Sequence, residues 1–352
     1  MAVKSYFRPE IDALAGYTPG EQPKIPDLVK LNTNENPYPP SPRVRTAVAE
    51  FATQSLRLYP DPTADALRDA IARRAGCRRE NVICGNGSDD LLTMIFRAFT
   101  DPRRPMAMPD PAYSLYPVLA AMQGAESRLI PLTEEFALPD DFSEQAKGAN
   151  LLAFPRPNAP TGMSFSRDAM ERICRSFDGI VLIDEAYADF ADDNCLDFAA
   201  RFDNVIVMRT FSKSYSLAGL RLGYAVSSAA IIDGLMKLKD SYNTDRLSQT
   251  IALAAFEDRD YLAECTAKVR ATRARLTAAL RELGFRVPDS QANFVFAAPP
   301  GGDGGAYFEY LRRNAVIVRH FPAPRTRAFT RITIGTDPEI DRLIALTREF
   351  VK

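Results

Sequence analysis

The chain is 352 residues long, 46% hydrophobic and 25% charged, which is enough apolar content for two domains and excludes disorder. Its 44 basic and 45 acidic residues are mixed along the sequence to a formal net charge of −1, leaving no basic face for nucleic acid and favouring small-molecule partners. Five scattered cysteines without metal-type spacing, Cys77, Cys84, Cys174, Cys195 and Cys265, and a single histidine, His320, exclude a structural zinc or histidine-rich metal site and predict reduced thiols in the cytoplasm.

At the amino terminus, Met1-Ala2-Val3-Lys4 leads straight into Arg8, Glu10 and Asp12, so neither a signal nor a membrane span is expected. Residues 1–40 are rich in proline and asparagine and read as an extended arm. The aromatic and amide groups of Tyr17-Thr18-Pro19-Gly20 and Leu31-Asn32-Thr33-Asn34-Glu35-Asn36-Pro37 suit packing over a neighbour's pocket, with a flexible tail as the alternative. Ser41-Pro42 then opens a helical pattern through Val44, Val48 and Phe51, proline costing nothing in a first turn. A second pattern, Ala66, Leu67, Ala70, Ile71 and Ala75, stops at Gly76.

From Asn81 the chain alternates short apolar runs with helical patterns, as parallel α/β sheets do. Seven strands are predicted, at 82–84, 106–108, 128–132, 151–154, 180–183, 205–208 and 222–226, mostly uninterrupted by charge and therefore covered on both faces. After residue 240 the character changes. Long helical patterns at 247–256 and 261–283 precede short strands at 293–297, 316–319 and 331–334, then a final helix from 338 to about 350. Residues 41–240 thus read as a large α/β domain, 241–352 as a smaller α+β domain, and 1–40 as an arm packing with the latter. Gly301-Gly302-Asp303-Gly304-Gly305 reads as a flexible loop, since no Lys-Ser/Thr follows as in a phosphate loop.

Several motifs follow strands. Gly85-Asn86-Gly87-Ser88-Asp89-Asp90 joins a strand to a helix near Leu91, where permissive glycines and free N–H groups suit an anion, although a simple turn fits locally as well. Tyr113, in Asp110-Pro111-Ala112-Tyr113, could stack on a flat heteroaromatic ring or simply pack. Asp184-Glu185-Ala186-Tyr187 ends an apolar strand. A buried carboxylate needs a partner such as a protonated ring nitrogen, and Tyr187 could donate to a phenolate on the same ring; an Asp-Glu metal pair is the competing reading.

The run Val205-Ile206-Val207-Met208 leads into Thr210-Phe211-Ser212-Lys213-Ser214-Tyr215-Ser216. A lysine just past a buried strand sits where an α/β sheet opens its ligand crevice. Desolvation there lowers the amine pKa and makes the neutral form available for imine chemistry with a carbonyl cofactor. The nearby hydroxyls and Arg221 can hold a phosphate ester, whereas a solvated serine-rich loop is the bland alternative.

Taken in order, Tyr59-Pro60-Asp61-Pro62, the turn at 85–90, Pro111-Ala112-Tyr113, Pro160-Thr161-Gly162, Asp184-Glu185-Ala186-Tyr187, Ser212-Lys213 and Arg221 resemble the motifs of fold-type-I pyridoxal-phosphate enzymes. Across nearly its whole length the chain is similar to the histidinol-phosphate aminotransferases, class II members of the aspartate aminotransferase superfamily. The resemblance implies an aspartate-aminotransferase-like α/β fold whose large domain carries a mostly parallel seven-stranded sheet. It also implies transamination between histidinol phosphate and 2-oxoglutarate, giving imidazole acetol phosphate and glutamate, with pyridoxal 5'-phosphate (PLP) as cofactor.

On that resemblance Lys213 would condense with the cofactor aldehyde and carry the proton between Cα and C4′. Asp184 would hold the pyridine nitrogen protonated, Tyr113 would stack on the ring, and Tyr187 would bind O3′. Ser88, the backbone at Asp89, Ser212 and Arg221 would grip the phosphate. Tyr59 would reach it from a second subunit, implying a homodimer with shared sites. Tyr17, Asn34, Arg319 and Arg331 would contact substrate, the arginines through its anionic groups.

One departure stands out: Arg156-Pro157-Asn158-Ala159-Pro160-Thr161-Gly162 carries Ala159 where the family has an asparagine that donates to O3′. Its loss is expected to raise the pKa of the Lys213 imine, and Asn158 is a candidate substitute. An aromatic amino acid transaminase or a threonine-phosphate decarboxylase-like enzyme would share these motifs. A cofactor-binding regulatory domain would require a DNA-binding segment that the residues before Tyr17 are too few to form.

Overall fold

The computed structural model describes residues 5–352; the opening Met1-Ala2-Val3-Lys4, and with it part of the reading that no leader is present, lies outside the described residues. After a short strand in the arm, Val29–Lys30 (β1), the expected runs form Val82–Gly85 (β2), Met106–Asp110 (β3), Ser127–Pro131 (β4), Leu151–Pro155 (β5), Ile180–Asp184 (β6), Val205–Thr210 (β7) and Gly223–Val226 (β8). Strands β2 to β8 make one seven-stranded sheet in the order β2-β8-β7-β6-β5-β3-β4. Only β8 is reversed, pairing antiparallel with both β2 and β7, while β3 to β7 run parallel.

Alternation along the strands divides the interior. Leu152, Phe154, Val181, Ile183, Val205 and Val207 enter one hydrophobic cluster, whereas Leu151, Ala153, Leu182, Ile206 and Met208 enter another. Successive side chains of a strand point to opposite faces, so a run that is apolar at every position needs cover on both. Strand β4 is the exception: Leu129 is 50% exposed, as an edge strand permits. Because β3, β5, β6 and β7 are parallel, their carboxyl ends share one edge of the sheet, the edge from which ligand-binding loops emerge in such folds.

Two helices show local control of their ends. Ser41 Oγ accepts from the Arg43 amide at the start of Pro42–Ala49. Asp65–Ala75 stops at Gly76, whose φ of +67° is the left-handed conformation that lets the last turn close.

Beyond the sheet, Arg246–Glu257 packs Ile251, Ala252, Ala255 and Phe256 into the first cluster, so the cores change over one helix later than the expected division at residue 240. A further cluster gathers the long helix Arg259–Glu282, Phe294–Ala297 (β9), Gly304–Arg313, Thr330–Thr333 (β12) and Asp337–Phe350. Val29 and Leu31 of the arm pack into it, and β1 pairs parallel with Val316–Ile317 (β10).

Two readings need correction. The glycine-rich stretch is loop only as far as Asp303, whose carboxylate accepts from the Ala306 amide and starts the helix Gly304–Arg313. A single strand at 316–319 is replaced by two: β10 pairs with the arm, and Arg319–His320 (β11) pairs antiparallel with β12 in the three-stranded sheet β11-β12-β9. Val318, between them, is the point at which the chain changes partners. Among the described residues no helix is long and apolar enough to cross a membrane.

Candidate active site

The loops after β2, β3, β5, β6 and β7 enclose a cleft of about 560 Å³, roofed by the arm at Tyr17 and residues 33–35. All the expected site residues line it except Tyr59 and Arg319.

One end is built for an anion. The helix Ser88–Phe99 begins after Gly87 with no side-chain cap, leaving its first N–H groups to a ligand. Asp90 turns its carboxylate back to the Asn86 amide (2.8 Å) and Asn243 Nδ2 (3.0 Å). Arg221 lies across this turn, 3.4 Å from both Ser212 Oγ and the Asp89 carboxylate. Gly87 has φ +84°, and a Cβ there would come within 2.7 Å of Arg221 Nη2. The backbone and the guanidinium are thus pressed together around a space that suits a phosphate group.

Asp184, the last residue of β6, is 6% exposed, and its carboxylate accepts from Tyr116 Oη at 2.8 Å and the Ala186 amide at 3.1 Å. Burial pushes its pKa up to about 6 despite those two donors, with Asp89 and Glu185 adding to the rise. No basic side chain pairs with it among the described residues, so a cationic ligand atom would relieve the buried charge. Next to it, Glu185 is paired at 2.6 Å with Arg209, which also meets Asp189 at 3.5 Å; Asp189 in turn accepts from Ser214 Oγ. Through this network the neighbours of Asp184 and Lys213 are tied together.

Lys213 follows β7 and donates Nζ to the Thr33 carbonyl at 3.1 Å. Burial lowers its pKa to about 8, helped by Arg331 and Arg221 and opposed by Glu35 and Asp89. The amine is therefore far closer to its nucleophilic form at neutral pH than an ordinary lysine. Glu35 has its own partners, Lys30 and Thr33 Oγ1, the latter at 2.7 Å.

Tyr187 packs edge-on against Phe294 at 5.1 Å and accepts from Asn34 Nδ2 at 2.8 Å. Tyr113 is flanked edge-on by Tyr17 (6.0 Å) and Tyr116 (5.4 Å), so its ring is fixed in orientation. Arg331 donates to the Asn32 carbonyl at 3.0 Å, while its buried Nε has no partner among the described residues. Ala159 lines the cleft, but Asn158 does not: its amide nitrogen is used by the Pro111 carbonyl (3.0 Å) and Thr161 Oγ1 (2.9 Å), which removes it as a substitute donor.

The two outliers have visible reasons. Tyr59 is 76% exposed and stacked on Tyr242 at 4.4 Å, on the outer surface. Arg319 donates to the Thr18 and Pro19 carbonyls and faces a separate surface hollow. Tyr116, Thr33, Asn293 and Thr333, which stand in or beside the motifs but were given no role in the sequence, enter the site's hydrogen bonding. Tyr116 sits in an apolar helix, Leu115–Met122, where a tyrosine reads as core.

The sequence pattern of the family described as Aminotransferase class I and II matches residues 26–346. Over 350 residues the chain is 45% identical to histidinol-phosphate aminotransferase 1 of Bordetella parapertussis, covering 98% of each chain. The histidinol-phosphate aminotransferase of Microcystis aeruginosa is 46% identical over 335 residues, 95% of each. Among solved structures, histidinol-phosphate aminotransferase from Sinorhizobium meliloti in complex with pyridoxal-5'-phosphate superposes with a TM-score of 0.86 at 25% identity over 99% of each chain. An aspartate aminotransferase from Thermus thermophilus superposes with a TM-score of 0.83 at 20% identity, covering 98% of this chain and 99% of the other, which makes the fold aspartate-aminotransferase-like.

Proposed function

The chain belongs to the class I and II aminotransferases, and we propose that it transfers the amino group of histidinol phosphate to 2-oxoglutarate in histidine biosynthesis, using PLP in a homodimer. The observation that carries this reading is the convergence in one cleft of a lysine with a depressed pKa, a buried carboxylate lacking a cation, and an uncapped helix start crossed by an arginine.

These groups fit PLP. Ser88, the Asp89 amide, Ser212 and Arg221 would hold its phosphate, Asp184 its ring nitrogen, Tyr187 its phenolic oxygen and Tyr113 one face of its ring. When bound, the cofactor supplies an aldehyde and a ring that accepts the electrons released at the substrate carbon. Lys213 Nζ would carry the proton between the substrate Cα and C4′ of the cofactor. Asp184 would be kept ionised by a protonated ring nitrogen and would in turn hold the proton there. Arg331, which lines the cleft, would bind the anionic group of the substrate. Tyr59, outward-facing here, would serve the site of a second copy.

Relatives matched along nearly the full length carry the histidinol-phosphate name, which favours that donor over aromatic amino acids or threonine phosphate. Mixing PLP with the purified protein should give a visible absorbance band that histidinol phosphate bleaches and phenylalanine does not. A colourless mixture would overturn the cofactor assignment, and bleaching by phenylalanine alone would overturn the substrate.

A further inference from the structure

Ala159 has no group to offer a ligand oxygen, so the hydrogen bonding around Tyr187 gains importance. The Asn34 amide N–H donates to Thr333 Oγ1 at 3.0 Å, which leaves the threonine's own proton to go to Asn34 Oδ1 at 3.1 Å. With its oxygen so engaged, the Asn34 side chain presents Nδ2 to Tyr187 Oη at 2.8 Å. Asn34 holds φ +56°, and its carbonyl accepts from Asn293 Nδ2 at 2.9 Å, so both its backbone and its side chain are fixed. The direction of each bond in this chain follows from the one before it. Tyr187 Oη is an acceptor towards Asn34, and its own proton has no acceptor among the described residues other than what enters the cleft.

We infer that Asn34 and Thr333 are positioning residues that aim the Tyr187 hydroxyl proton into the cleft, making Tyr187 the side-chain donor to the cofactor's phenolic oxygen in place of the missing partner at Ala159. The inference rests on the proposed PLP site and reassigns Asn34 from substrate contact to control of Tyr187. Arg331, Asp184, Tyr17 and Lys213 also face Tyr187, the lysine 5.8 Å from its ring, and none of them is altered by changing Thr333. A donor on the phenolic oxygen draws off negative charge that otherwise holds a proton on the neighbouring nitrogen, so its loss raises the pH at which the visible band shifts.

The test is a pH titration of that band in the PLP-loaded enzyme. Thr333→Val, which keeps the shape and removes the hydroxyl, and Tyr187→Phe should each raise the midpoint by about one unit, the scale of one hydrogen bond to a charged group. Thr333→Ser should restore the native midpoint, and Thr333→Val in the Tyr187→Phe background should add nothing. An unmoved midpoint in Thr333→Val, or additivity with Tyr187→Phe, overturns the inference. Should Thr333→Val fail to fold, Asn34→Gly, compatible with the positive φ, must give the same rise. A native protein that never develops the band overturns the cofactor reading and this inference with it, whereas a band with an immobile midpoint overturns the inference alone.

Discussion

The Tyr116 hydroxyl donates to the Asp184 carboxylate at 2.8 Å, at a point where the Asp184 pKa stands at about 6. The bond favours the ionised form, and burial opposes it. Tyr116→Phe is therefore expected to push the Asp184 pKa further up and to move the acid limb of PLP binding, measured as the dissociation constant against pH, upward by about one unit. A limb that stays in place would remove Tyr116 from the control of this carboxylate.

Asp184 also bears on stability without cofactor. Its folded pKa of about 6 exceeds the usual 3.8, so the folded chain binds more protons than the unfolded one between those values, and stability falls as pH rises through that window. Asp184→Asn keeps the Tyr116 hydrogen bond and removes the charge. Ligand-free Asp184→Asn should be more stable than the native protein by on the order of 2 kcal/mol above pH 6, with the gap vanishing towards pH 4. Denaturant melts at several pH values would show this, alongside a loss of activity.

Lys213 titrates in the opposite sense, its pKa lowered to about 8 by burial. Covalent labelling by PLP and borohydride, read by mass spectrometry, should rise with pH to a plateau just above 8 at position 213. Ordinary lysines should still be climbing towards about 10.4. Labelling concentrated elsewhere would contradict the assignment of the reactive amine.

At Gly87 a methyl group meets both a positive φ and the Arg221 guanidinium at 2.7 Å. Gly87→Ala should cost about 1 kcal/mol or more of stability and weaken PLP binding by roughly tenfold or more. Pyridoxal, which lacks the phosphate, should lose far less, and equal losses for both ligands would place the damage outside the anion end.

Ala159→Asn restores a donor beside Tyr187. The visible-band midpoint should fall by about one unit. An unchanged or higher midpoint would mean that residue 159 does not reach the phenolic oxygen.

Most of the architecture was legible because strands covered on both faces write themselves as uninterrupted apolar runs, and the residues following them are where chemistry must sit. That logic singled out Lys213 and Tyr113 from their positions past β7 and β3 and Asp184 from the end of β6, and all three line one cleft. It missed Tyr116, since a tyrosine inside an apolar helix gives no sign that its hydroxyl will find a carboxylate 68 positions away. Thr333 meets Asn34 across 299 positions, a pairing fixed by how β12 lies against the arm, and no local pattern encodes it. Arg319, expected at the substrate, lies elsewhere for a different reason: a guanidinium can serve a ligand or a backbone carbonyl, and here two arm carbonyls take it. Glycines hid the helix at Gly304–Arg313 because its start depends on the single carboxylate of Asp303.

Strand β1 lies on β10, and the Leu31 amide and carbonyl bond to Ile317 and Thr333, while Thr33 and Asn34, two and three residues further on, hold Lys213 and Tyr187. The segment is a lever with one end clamped in the smaller core and the other on the reacting groups. Changes at Val316 or Leu31, which touch no ligand, should therefore alter the colour and proton affinity of the site before they alter the fold. Reactivity at Lys213 would then be set partly by how the two hydrophobic cores sit against each other.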